Sequence, residues 1–70
     1  MGTKLSRLEQ ERSIIGMTVK DAAAFLHQHG TSLRVTKEDG ESLVVTMDLI
    51  VNRLNVESRE GKIVRTLHWG

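Results

Sequence analysis

The spacing of hydrophobic residues changes along this chain, and each change predicts a different element. Val19, Ala22, Ala23 and Leu26 fall at i, i+3, i+4 and i+7, one apolar stripe of a helix over about Val19 to His29. Thr18 suits the N-cap, Asp21 suits a capping-box role and complements the helix dipole, and Gly30 supplies the left-handed residue that ends such a helix. Beyond it the period shortens to two. Leu33 and Val35 alternate with Arg34 and Thr36 as a strand, and Asp39-Gly40 marks a turn. Residues 41–49 are apolar but follow neither period. Alternation resumes from Asn52 to Glu57, with Leu54 and Val56 on one face and Arg53 and Asn55 on the other. A turn at 58–61 then leads into a last strand, Lys62 to Trp69.

The last two strands are close enough for an antiparallel hairpin, while the long connection between the first two permits parallel pairing. The single-striped helix must cover one face of the sheet. The expected fold is therefore α/β in the α+β sense, one helix packed on a small twisted mixed sheet of about three strands. Residues 1–13 read as a flexible polar N-terminal arm with room for a frayed helical turn, and residues 14–70 as the folded domain. Residues 41–50 remain as a long connection, and loops of that length in small domains are usually functional. An exposed run from Val44 to Leu49 would be an apolar liability unless a partner covers it.

Composition narrows the choice of partner. Seventy residues make one small domain, and with no cysteine it has no disulfide, thiolate metal site or thiol chemistry. A net charge of +1 argues against a dedicated nucleic-acid binder, and Phe25 and Trp69 as the only aromatics make no stacking platform. No apolar run spans a membrane and no hydrophobic leader stands at the N-terminus, which leaves the compartment open: cytoplasmic by default, or secreted if this is a mature form. Met1-Gly2 with Ser6 fits the loose myristoylation pattern, which is short and permissive. His27 and His29 lie two apart and do not share a helix face, so no metal is expected. Ser13, Ser32, Ser42 and Ser58 have no histidine at a triad-like spacing, and Gly16, Gly40 and Gly61 read as turn residues, so neither enzyme chemistry nor a cofactor is expected. The expected state is a monomer.

The residues Ile14-Ile15-Gly16-Met17-Thr18-Val19, leading into an alanine-rich helix, resemble the opening of the potato inhibitor I family. Val45-Thr46-Met47-Asp48-Leu49, followed by Asn52-Arg53-Leu54, resembles that family's reactive loop and the strand after it. The longer stretch from Asp39 to Val56 is similar to a related family of bacterial and fungal elastase and subtilisin inhibitors, and Leu67-His68-Trp69-Gly70 fits the terminal strand of both. The resemblance covers about residues 14–70.

It implies a serine protease inhibitor of the substrate-like standard mechanism, acting on subtilisin-, chymotrypsin- or elastase-like enzymes. Val44, Val45, Thr46, Met47, Asp48 and Leu49 would form the protease-binding loop, with Met47-Asp48 as the reactive bond. Arg53, Asn55 and Gly70 would support it, basic residues beneath binding the side chains of Thr46 and Asp48. Asn55 stands where the potato family carries a second arginine and should make a weaker strut. Trp69 stands where the bacterial and fungal relatives carry a cysteine, and its indole is expected to pack in place of the bridge. The alternative is a non-inhibitory interaction module on the same fold, and a membrane-tethered form of either rests on the myristoylation pattern alone.

Overall fold

The computed structural model describes residues 5–70, and the chain is an α+β domain. Its elements are α1 (Arg7–Ile14), α2 (Val19–Gln28), β1 (Ser32–Glu38), β2 (Glu41–Ser42), β3 (Arg53–Arg59) and β4 (Lys62–Trp69). The strands form one mixed sheet in the order β2-β1-β3-β4. β1 and β3 run parallel, in a register that sets Arg34 beside Asn55 and Val35 beside Val56. β4 returns antiparallel to β3, and the two-residue β2 folds back antiparallel on β1. The sheet thus has the expected mixed pairing, plus a short fourth strand that two residues were too few to reveal as a period.

Helix α2 begins as its sequence dictates: the Thr18 hydroxyl accepts from the Asp21 N–H. It ends at His29, and Gly30 follows with φ +74°, the left-handed geometry glycine adopts without strain. Its buried residues Ala22 and Leu26 meet Ile14, Leu54, Val56 and Ile63 in a single core, with Phe25, Leu33, Val35 and Trp69 packed around it. Among the described residues six fully buried apolar side chains make a small core for a chain without cysteine, so each counts heavily. Leu26→Ala is expected to lower unfolding free energy by about 2–5 kcal/mol, read from urea denaturation.

Residues 1–13 were expected as a polar arm with room for a frayed helical turn, and from Arg7 onward the chain forms the regular helix α1. The Ser6 hydroxyl accepts from the Glu9 N–H and the Glu9 carboxylate accepts from the Ser6 N–H, a complete capping box. Gln10 is buried and its amide oxygen accepts from the Thr31 hydroxyl, while Ile14 enters the core. The Trp69 indole N–H donates to Glu11 at 2.7 Å. α1 is therefore held by a few specific contacts rather than an apolar stripe. The myristoylation pattern begins in residues 1–4, outside the described residues.

β3, the central strand, is buried from Arg53 to Ser58. Leu54 and Val56 join the core, and strand alternation turns Arg53, Asn55 and Glu57 to the other face. Glu57 is fully buried there, with Arg65 at 2.7 Å and Arg59 at 3.5 Å. Arg53 and Asn55 occupy the end of this face nearest the loop.

Candidate functional site

From Leu43 to Ile50 the chain has no regular secondary structure, and every residue of that stretch is exposed. The segment leaves β2 at one edge, passes over Arg34 of β1 and re-enters the sheet at Arg53 of β3. Three side chains stand out almost entirely in solvent: Val44 at 104%, Met47 at 97% and Leu49 at 87% relative exposure. Large apolar side chains at such exposure lose all the free energy of burial within the chain, which a partner would recover. Val45 is only marginally exposed, so the loop turns some residues outward and keeps others close.

An exposed apolar loop would ordinarily be mobile, but polar contacts tie down the backbone on both sides of Met47. Arg53 makes most of them, and its side chain is only 9% exposed. Its Nη2 donates to the Asp48 carbonyl at 3.0 Å and its Nη1 reaches the Asp48 carboxylate at 3.4 Å. Its Nε donates to the Gly70 carbonyl at 3.0 Å, which fixes the guanidinium plane against the end of β4. The planar fork suits this task because one side chain holds three acceptors in set directions.

The second guanidinium comes from Arg34. Its Nη1 donates to the Thr46 carbonyl at 3.4 Å and lies 3.8 Å from the Asp48 carboxylate. Its Nε donates to Asn55 Oδ1 at 2.7 Å. Asn55, expected to brace the loop directly, instead holds Arg34 and donates its amide to the carbonyls of His68 and Gly70, at 3.2 and 2.9 Å. The parallel register places Arg34 and Asn55 side by side, so the asparagine carries the guanidinium that carries the loop.

Thr46 also differs from expectation. Its hydroxyl donates to the Asp48 carboxylate rather than accepting from a basic residue, and its carbonyl takes the arginine. The two residues flanking Met47 are thus joined to each other and to two cations, which fixes the backbone direction at Met47 and leaves its side chain free. Gly70 completes the support through its carbonyl, which accepts from Arg53 and Asn55, at a φ of +139° that favours glycine. Beneath the loop lies an open cleft of about 370 Å³, lined on the sheet side by Arg34, Thr36 and His68.

The Asp48 carboxyl is held below its ordinary pKa of 3.8, first by the Thr46 hydroxyl and then by Arg53. A depressed folded-state pKa means that the carboxylate's contribution is fully present above pH 3.8 and is lost as pH falls through the lower folded value. Asp48 should therefore titrate below the ordinary value in a carboxyl-carbon NMR titration. Arg53→Ala should move it upward but not fully back, because Thr46 remains.

Of the residues singled out from the sequence, Val44 to Leu49, Arg53, Asn55 and Gly70 all lie in or directly under this loop. Arg34 is the loop-bracing side chain that the sequence did not single out. Its signal was its position opposite Leu33 and Val35 on β1, which becomes meaningful once β1 pairs in parallel with β3. His29 sits against Phe25, ring centroids 4.9 Å apart, and His27 is exposed. No family model, curated protein or solved structure matches this chain.

Proposed function

We propose that this chain is a serine protease inhibitor that offers the Met47-Asp48 bond as a substrate-like decoy, in the manner of the potato inhibitor I family that its sequence resembles. The observation that carries the reading is the double bracing of Thr46 and Asp48 by Arg34 and Arg53 around an outward Met47. A protease binds its substrate as an extended strand, and most of the cost is the ordering of that strand. A loop already held in place avoids this cost and binds more tightly than a flexible peptide of the same sequence.

The same struts explain why such a decoy would resist turnover. Attack by the catalytic serine on the Met47 carbonyl releases the Asp48 amine as leaving group. With Asp48 held through its carbonyl and carboxylate by Arg53, that amine stays beside the acyl carbon, and resynthesis of the peptide bond competes with hydrolysis. An unbranched, polarizable Met47 fits apolar pockets of several shapes, which favours subtilisin-, chymotrypsin- or elastase-like enzymes over trypsin-like ones. The alternative of a non-inhibitory module drew on the missing charge at Asn55. Arg34 supplies a second charge under the loop and favours the inhibitor reading.

The test is competition for the catalytic serine. The chain should bind active subtilisin or chymotrypsin and fail to bind the same enzyme with a bulky sulfonyl group on that serine. Equal binding to both would place the contact elsewhere and favour the interaction module.

A further inference from the structure

Cutting the chain after Met47 would divide it into residues 1–47, with α1, α2, β1 and β2, and residues 48–70, with β3 and β4. Outside the helix and its cap, and apart from those of Gln10, α1 makes its side-chain hydrogen bonds with the second of these pieces. Arg7 Nη2 donates to the Val51 carbonyl at 3.0 Å, at the downstream root of the loop. Its guanidinium also lies 4.4 Å from the centre of the Trp69 ring. Glu11 accepts from the Trp69 indole at 2.7 Å through one oxygen and from the Thr66 hydroxyl at 3.4 Å through the other. The indole is thus bonded at its nitrogen and covered on a face by two residues one helical turn apart.

We propose that α1 is an intramolecular clasp: Arg7 and Glu11 hold Val51, Thr66 and Trp69 so that a chain cut in its loop remains one molecule. The proposal rests on the reading that the loop is presented to proteases. With no disulfide to join the two pieces, they are held by non-covalent contacts, among them β1 paired to β3, Arg34 bonded to Asn55, the shared core, and this clasp. Sheet and core bind the pieces near their middles. The clasp ties the first helix to the last strand and, through Val51, fixes the downstream side of the cut. A nicked chain that keeps Asp48 in place can still be rejoined, whereas one that releases residues 48–70 cannot.

The experiment uses the full chain, nicked in its loop by limited proteolysis, with fragment dissociation followed by native mass spectrometry and by the fluorescence of Trp69, the only tryptophan. Glu11→Ala should weaken fragment association about tenfold and Arg7→Ala about threefold, as a charge-assisted hydrogen bond and an exposed cation–π contact allow. Glu11→Gln keeps an acceptor for the indole and should restore most of the loss, and Arg12→Ala on the same helix should change nothing. In the intact chain, Arg7→Ala should speed amide exchange at Arg53, whose N–H donates to the Ile50 carbonyl across the turn that holds Val51, while Leu54 and Val56 keep their protection, a local effect that general destabilisation would not give. Fragments of Glu11→Ala that stay together as tightly as those of the parent would overturn the clasp, as would uniform exchange. Rapid cutting at several loop bonds without inhibition would count against the inhibitor reading instead, and the fragments so produced would still decide the clasp.

Discussion

Arg53→Ala is expected to speed hydrolysis after Met47 by roughly 10- to 100-fold, while the domain remains folded. The factor corresponds to about 1.4–2.8 kcal/mol, the range of one hydrogen bond to a charged group, lost from loop preorganisation. Arg53 makes three contacts, but Asp48 retains Thr46 and Arg34, and Gly70 retains Asn55, so the loop loosens without collapsing. The core residues Leu54 and Val56 face away from the lost side chain. A mass-spectrometric time course with subtilisin measures the rate, and circular dichroism checks the fold. Unchanged cleavage kinetics in a folded variant would remove the strut argument. Arg34→Ala should act in the same direction. Since both guanidiniums meet the Asp48 carboxylate, the double variant should depart from additivity.

Met47→Lys should cost more than about 100-fold in affinity for an enzyme with an apolar primary pocket and confer measurable affinity for trypsin-like enzymes. The argument is local. Met47 is almost wholly exposed and packs against nothing whose loss would matter, so the substitution leaves domain and struts as they are. Any change in binding then reports the pocket alone. An ammonium in an apolar pocket is left without a partner, whereas a pocket floored by a carboxylate gains one. Inhibition constants against one enzyme of each kind provide the measurement. No gain toward trypsin would mean that Met47 is not the residue entering the pocket.

Much of this architecture was legible because local signals agreed with the tertiary result. Thr18, the stripe from Val19 to Leu26 and Gly30 bound α2 on their own, and the alternation at 53–56 separates core from site. The loop was legible by contradiction, an apolar run with no period of its own. α1 was legible only as a frayed turn, for the opposite reason. Its sequence carries a capping box at Ser6 and Glu9 but no apolar stripe, and what anchors it are single partners far along the chain: Thr31, Val51 and Trp69. No periodicity encodes such contacts. Arg34 was missed similarly, because its role depends on a parallel neighbour about twenty residues downstream and on an asparagine that looked like a weak strut.

The most direct measurement is a titration of subtilisin and of chymotrypsin with the purified chain, with residual activity and the mass of the chain followed together. Stoichiometric loss of activity, with slow cleavage at a single bond between Met47 and Asp48, is the expected result. Full activity, with the chain intact or promptly degraded at several bonds, would contradict it.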